Sequence, residues 1–427
     1  MSTSIFIRRQ IAQIQQGGQA VVMRKFRRVL KPLFLLPVCL FSVFPLLLIR
    51  LARPFVLIRL GALHSERIGV FTQIPEVHLC ERDAGINQPS GKHIDIWCFG
   101  DWISNKQLAL MWRRTFRVWP FVLVKPLRSV NRLIPGGDQH AIGKNNARDT
   151  HNLFDRFPAH LQFTAREESF GINELERLGV AKGSKFVCLL ARDGSFQTTA
   201  TPGHDWSFHD YRNMDVNRFA LVARQLASLG CFVLRMGSVV KERLECQDPR
   251  VIDYATSGMR SDFMDVYLGA KCEFCVTIGS GWDGVPYIFR RPIVYVNMVP
   301  LGGIYTFSSR YINITKRHWS IKDNRELTLS EIITRGLHLC YNTVEYQSQG
   351  VRLIENTSEE IYDVVIEMYE RLKGTWKPHE EDETLQKRFW EIFTKGGAPE
   401  YWGRPLHGEI RARFGASFLR NNQWWLE

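Results

Sequence analysis

The sequence predicts an α/β fold with a parallel, doubly wound sheet in its second half, and three observations carry that reading. Strand-like and helix-like stretches alternate through residues 185–296, the pattern of strands joined by crossover helices. Polar residues follow directly on successive apolar runs, Arg192 and Asp193 on one, Arg235 and Gly237 on the next. The stretch 272–297, CEFCVTIGSGWDGVPYIFRRPIVYVN, reads as strand, glycine turn, helix start and second strand. Within it, Phe274 to Ile278 has the apolar, β-branched character of a buried strand. Gly279-Ser280-Gly281 breaks that run and lets the backbone approach a ligand. Asp283 then opens a helix that tolerates Pro286 only in its first turn. Free N–H groups at such a helix start suit a phosphate.

At 427 residues the chain has room for two domains and an appendage. Its 45% hydrophobic and 23% charged content is that of a globular protein. A formal net charge of +13 favours anionic partners, meaning phosphates or acidic lipid. No RNA-binding signature or zinc spacing accompanies that charge, so nucleic acid is not expected as a partner. Cys272 and Cys275 form a C-x-x-C, but apolar residues surround them and no second pair follows. They read as core thiols of a reducing compartment.

Residues 1–63 read as a membrane-associated segment. Arg24, Lys25, Arg27, Arg28 and Lys31 precede the charge-free run 33–49, and apolar character continues to Leu63. That run is near the lower limit for a spanning helix, about 17 residues, and Pro37 and Pro45 would kink it. The preferred reading is a kinked helix or re-entrant hairpin at the cytoplasmic face of the inner membrane, peripheral or monotopic and held by anionic lipid. A single-pass anchor and a buried core helix are the alternatives. Residues 64–164 read as a first α/β unit, with a short strand at 67–71 and a turn in which Glu76 suits the positive end of a helix. A strand at 94–99 leads to Asp101, Ser104 caps a helix, 116–125 is another strand, and 138–163 is a long polar loop. Residues 165–345 form the second unit. Helices at 167–178, 216–229 and 262–270, the last two capped by Asp215 and Ser261, alternate with strands at 185–191, 231–234 and 274–278. Ligands of such sheets sit beyond the carboxyl ends of the strands, where Arg192, Asp193, Arg235, Gly237, Ser280 and Asp283 gather. Residues 346–427 add helices and an aromatic, basic tail expected to pack back on the first unit.

Taken together, RIGVFTQIPEVHLCERD, LLARD, YRNMD, LRMGSVV, IDYATSGMRSDFMDVYLGAKCEF, GSGWDGVPYIFRRPIVYVN and KRHWS resemble a family of bacterial glycosyltransferases of GT-B type. That family is distantly similar to heptosyltransferases and surface-polysaccharide transferases. The motifs run in order from Arg67 to Ser320. The resemblance implies two Rossmann-like domains facing across a cleft, with the donor nucleotide held mainly by the C-terminal one. It implies no cofactor, the nucleotide sugar being a co-substrate. One departure is Ile74-Pro75, where the resemblance leads one to expect Asn-Thr before Glu76.

Such a transfer needs a stabilised diphosphate leaving group, a held donor sugar and a deprotonated acceptor hydroxyl. Arg192, Arg235 and Arg260 are the candidates for the diphosphate, because a guanidinium meets phosphate oxygens in a bidentate way. Gly279, Ser280, Gly281 and Asp283 would hold phosphate and sugar hydroxyls. Glu76 is the expected general base, with Asp101 as the substitute; His204 and His318 are weaker candidates. No Asp-x-Asp stands at a strand end, which points to metal independence. The expected activity is transfer of a sugar from a nucleotide-sugar donor to a glycan, lipid-linked or protein acceptor in surface polysaccharide biosynthesis. A nucleotide-sugar epimerase or hydrolase of the same architecture, and a non-catalytic membrane scaffold with a degenerate transferase fold, are the rival readings.

Overall fold

The structure, a computed structural model, describes residues 23, 37, 40–143, 147–200, 203–397, 400 and 405–427. The basic cluster Arg24–Lys31 and most of 33–39, on which the membrane reading leans, lie outside those residues, as do Tyr401 and Trp402. Residues 40–51 form a helix, α1. Its Leu46 is buried against Leu60, Ile96, Val124 and Val130. Its Arg50 donates to the Pro135 carbonyl (2.7 Å) and to Asn131 Oδ1 (3.1 Å). Among the described residues no helix is long and apolar enough to cross a membrane.

The first sheet has two parallel strands, β1 (Leu57–Leu63) and β2 (His93–Phe99), joined by the helix α2 (Ile68–Asp83). Single-residue bridges, Leu60 with Ala141 and Trp97 with Val118, extend it on each side. Three expectations are corrected here. Residues 57–63 are a strand of the first sheet, not the end of a kinked helix or hairpin. The charge inside that run, Arg59, is satisfied by Asp95 on the neighbouring strand through two contacts of 2.7 Å, so it reaches neither lipid nor water. Residues 68–71 start α2 and are not a strand, because a helix must carry the chain back before β2 can lie parallel to β1. Residues 116–125 are not one strand either. After α3 (Lys106–Thr115), capped by Asn105 and not Ser104, Val118 makes its single bridge, and Pro120 stands at the N-cap of α4 (Phe121–Asn131).

The chain continues through α5 (Ala165–Arg177), β3 (Phe186–Leu190), α6 (Ser195–Ala200), α7 (Ala220–Ser228), β4 (Phe232–Arg235) and β5 (Val251–Ile252). Next come α8 (Asp262–Lys271), β6 (Cys275–Thr277), α9 (Gly284–Ile288), β7 (Ile293–Met298) and β8 (Tyr311–Thr315). Thr164 with Glu167 closes a capping box on α5, and Ser261 accepts from Met264 N to cap α8. A small antiparallel sheet of β9 (Arg317–Ser320), β10 (Arg325–Glu326) and β11 (Val351–Ile354) encloses α10 (Leu329–Thr334) and α11 (Thr343–Ser348). The chain closes with α12 (Ser358–Lys373), α13 (Asp382–Lys395), β12 (Arg413–Phe414) and α14 (Ala416–Asn421).

The large sheet has seven strands in the order β12-β8-β7-β6-β3-β4-β5, all parallel. From β3 the chain winds outward to β5, returns to the centre at β6, and winds outward the other way. The direction of winding therefore reverses between β3 and β6, and a crevice opens beyond the carboxyl ends of strands at such a point. The apolar sides of β3, β6 and β7, with Val187, Leu189, Val276 and Val294 fully buried, form its core. The tail lies mainly on this sheet, where β12 pairs with β8 and Phe414 packs in tilted contact with Phe389 and Trp425. It meets the segment preceding α5 through Arg148 and Asn152, which donate to the carbonyls of Leu406 and Glu409.

Candidate active site

The turn after β6 lies at the reversal point, and it is packed directly on the start of α2. Gly279 has φ +76°, a conformation glycine adopts without strain. A Cβ on Gly69 would sit 3.0 Å from Gly281 Cα, and one on Gly284 would sit 2.1 Å from Thr72 Oγ1. Small residues thus let the two backbones touch. The start of α2 is bare: Arg67 at the N-cap makes no side-chain cap, and the first turn carries no acidic residue. Its first N–H groups have no intrahelical acceptor, and the positive end of a 16-residue helix stands beside the glycine turn.

Cationic side chains converge on the same edge. Arg192, just beyond β3, donates from Nη1 to the His209 carbonyl at 3.0 Å and to Asn213 Oδ1. Arg212 donates to the Gly279 carbonyl. Lys316, just beyond β8, donates to the Asn213 carbonyl at 2.6 Å. The loop Tyr211-Arg212-Asn213 therefore ties the tips of β3, β6 and β8 together. Arg192 and Lys316 are both buried. Burial, followed by the charge of Arg212, pushes the Arg192 guanidinium down to about 10. Burial pushes the Lys316 ammonium down to about 8; Glu355 opposes this and Arg192 adds to it. His209 is held neutral, at about 4, by burial and then by Arg192, Arg212 and Arg67. Arg67 thus belongs to this electrostatic cluster although it comes from the first unit. Against these cations stand Asp210, which Asn213 engages, and Glu355, 3.9 Å from Lys316. Positive charge at one edge, partly desolvated and incompletely neutralised, is the setting an anion needs.

The residues expected from sequence divide. Arg192, Gly279, Ser280 and Gly281 lie at the reversal point. Asp193 lies beside them, where its carboxylate accepts from Ser195 N (3.0 Å) and Lys241 N (2.6 Å) and shapes the loop. Gly237 follows β4, and a Cβ there would sit 2.5 Å from Val240 Cγ1. Asp283 is 2% exposed and accepts from Thr277 Oγ1 at 3.4 Å. Burial raises its carboxyl to about 7, with Arg212 opposing. Arg235 is 1% exposed and is engaged by Asp253 at 3.2 Å and the Glu242 carbonyl at 3.0 Å. Arg260 is paired with Asp265 at 2.7 Å.

Glu76 lies on α2, eight residues past its start, about 12 Å along the axis at 1.5 Å per residue. It is fully buried, and its Oε1 takes Arg290 Nη2 at 2.6 Å and His160 Nδ1 at 3.0 Å. This is a closed ion cluster. Glu76, Cys80 and His160 are near enough to one another to share a cation, but Arg290 already supplies positive charge to Glu76 and donates to Cys80 Sγ at 3.4 Å. Burial, with Glu76 adding to it, pushes the Cys80 thiol up to about 12. At the tips of β1 and β2 stand two other carboxylates, Glu66 and Asp101. Glu66 Oε1 accepts from Asp101 N at 2.9 Å, and Asp101 is exposed and pairs with Lys125 at 2.9 Å. Arg67, Arg212, Lys316 and Glu66 are the residues that sequence reasoning missed. Arg212 and Lys316 stood within recognisable motifs, YRNMD and KRHWS, but only the strand order shows that those loops meet.

No protein-family model matches the chain, and no curated protein matches it. Among solved structures it is similar to a glycosyl transferase family 9 protein from Veillonella parvula DSM 2008, at 12% identity over 74% of this chain and 96% of that one, with a TM-score of 0.41. It is similar to ADP-heptose lps heptosyltransferase II of E. coli at 14% identity over 61% and 90% of the chains, with a TM-score of 0.35. It is also similar to the iron-containing dodecameric glycosyltransferase TibC of enterotoxigenic E. coli at 11% identity over 63% and 62%, with a TM-score of 0.31. Likenesses of this size carry no argument about the chain, and the functional reading rests on its own residues.

Proposed function

We propose that the chain is a metal-independent glycosyltransferase of GT-B type, moving a sugar from a nucleotide-sugar donor to a glycan or lipid-linked acceptor. One observation carries this: Arg67, Arg192, Arg212 and Lys316 gather with the bare start of α2 around the glycine turn at the reversal point of a parallel sheet. The donor's diphosphate binds there, taking hydrogen bonds from the guanidinium groups and from backbone N–H groups. As the bond from the anomeric carbon to the phosphate oxygen breaks, negative charge grows on the leaving diphosphate. Cations fixed in advance stabilise that charge without reorganising. The acceptor hydroxyl attacks the anomeric carbon and gives its proton to a carboxylate. Glu66 and Asp101, at the strand tips of the first sheet, suit that step better than Glu76, which is fully buried and whose Oε1 is taken by Arg290 and His160.

Full-length protein incubated with a panel of nucleotide sugars and with lipid-linked or soluble glycan acceptors tests this. A glycosylated acceptor and free nucleoside diphosphate are expected, with turnover reduced about a hundredfold or more by Glu66→Gln or by Asp101→Asn. Release of free sugar or of an epimer without any acceptor would instead place the chain among the hydrolases or epimerases.

A further inference from the structure

Helix α1 is amphipathic in the wrong sense for water. Its inward stripe is Ser42 and Leu46, with Ile49 and Arg50 half-buried. Its outward face carries Leu40, Phe41, Phe44, Leu47, Leu48 and Leu51, all exposed. A helix that covers a soluble domain shows the reverse pattern. A second element, some 80 residues later in the chain and sharing the core cluster of Leu46, also exposes apolar side chains. Helix α4 packs on α1 through Val124 and Val130 while exposing Val122 (62%) and Leu123 (54%), and Leu133 just beyond it is 83% exposed. An exposed apolar patch of this kind marks an interaction surface.

The charges around it select the partner. Residues 1–65 contain ten basic and no acidic residues, and residues 102–137 contain seven basic and no acidic residues. Both halves of the patch come from these acid-free segments, which together carry more positive charge than the whole chain's net +13. Arg53 after α1 and Arg132 after α4 are exposed at its margin. Pairing two copies through this face would set arginines against arginines, which disfavours a symmetric dimer. Exposed apolar side chains flanked by an exposed arginine after each helix fit the surface of an anionic bilayer. One face of α1 packs on the first sheet while the other is exposed, which suits a helix lying in the interface plane.

We infer that α1 and α4 form one membrane-docking face whose occupant is an anionic lipid bilayer. Vesicle co-sedimentation of the full chain, with phosphatidylcholine alone or mixed with phosphatidylglycerol, tests this without any nucleotide, so it succeeds or fails apart from the transferase reading. Wild type is expected to sediment with the anionic vesicles, less so as salt rises. The pair Phe41→Glu with Phe44→Glu, and separately the pair Val122→Glu with Leu123→Glu, should each weaken partitioning by about tenfold or more. Their melting temperatures should stay unchanged, because the altered side chains are exposed. The α4 pair is decisive. If it sediments like wild type, α4 is not part of the docking face. The inference also fails if wild type ignores both kinds of vesicle. A dimer seen by light scattering and dissolved by the same substitutions, with no vesicle binding, would give the face to a second copy of the chain.

Discussion

At Lys316, burial and the neighbouring Arg192 both disfavour the charged ammonium, leaving it to titrate near about 8. A lysine is charged below its pKa, so a bound phosphate finds its cation in place at neutral pH and must recruit a proton above that value. Nucleoside diphosphate affinity should therefore be flat below about pH 8 and fall by up to roughly tenfold for each further pH unit. Lys316→Arg should remove that fall, since a guanidinium stays protonated throughout; calorimetry from about pH 7 to about pH 9.5 reads both. At Asp283 the shift runs upward and acts on stability. Its carboxyl is raised to about 7 by burial, so the folded state holds the proton more tightly than the unfolded chain does. Stability from this group is present at low pH and is lost as pH rises from the ordinary carboxylate range towards about 7. Asp283→Asn should thus melt increasingly higher than wild type between about pH 5 and about pH 8, with nucleotide affinity retained. Arg235 is a third case. Its partner Asp253 and the loop carbonyl of Glu242 occupy it. Arg235→Ala should cost about 3–5 kcal/mol of stability by leaving a largely buried charge unpaired, while the nucleotide affinity of the folded fraction stays the same.

Among the elements, the contact between α2 and the glycine turn holds the candidate site together. Gly284→Ala would drive a methyl into Thr72 Oγ1, which already donates to the Gly69 carbonyl at 2.8 Å. The expected loss is about 1–3 kcal/mol, seen as a lower denaturant midpoint. Adding Thr72→Ala should recover most of it, since the remaining contact would be with the Thr72 Cβ at 3.3 Å. Most elements of the large sheet were legible in the sequence because their signals are local. The runs that became β3, β4, β6 and β7 are short and apolar, and Ser261 announced the helix it precedes, whereas Asp215 caps a 3-10 turn, Val216–Phe219, that comes before α7. The first sheet was less legible. Strand β1 hid at the end of a long apolar stretch, and Arg59 looked like a boundary because its partner Asp95 is 36 residues away. Residues 68–71 look extended by propensity, yet the crossover needs a helix there, and topology prevailed. Of the site, Arg192 and the Gly279–Gly281 turn could be read from their place after strands. Arg67, Arg212 and Lys316 lie in loops, where no periodicity says which strand tips will be neighbours.

The whole molecule closes its large sheet with its own tail. Phe414 on β12 is fully buried against Phe389 and Trp425. Phe414→Ala should cost about 3–5 kcal/mol and lower the melting temperature, because the cavity it leaves lies between the tail and the edge of the sheet at β8. Charge is divided at the same scale: residues 1–65 and 102–137 carry basic and no acidic side chains, while the reversal point holds a separate, internal set of cations. The central claim, that this internal set holds a nucleoside diphosphate, is tested most directly by isothermal titration of the full chain with ADP, GDP, UDP and CDP. Arg192→Gln and Arg212→Gln are the comparison variants. At least one nucleotide should bind wild type, and each variant should bind it roughly 10- to 100-fold more weakly, the loss of a charge-assisted hydrogen bond of about 1.5–3 kcal/mol. Binding of equal strength to wild type and to both variants, or no binding of any of the four, would contradict it.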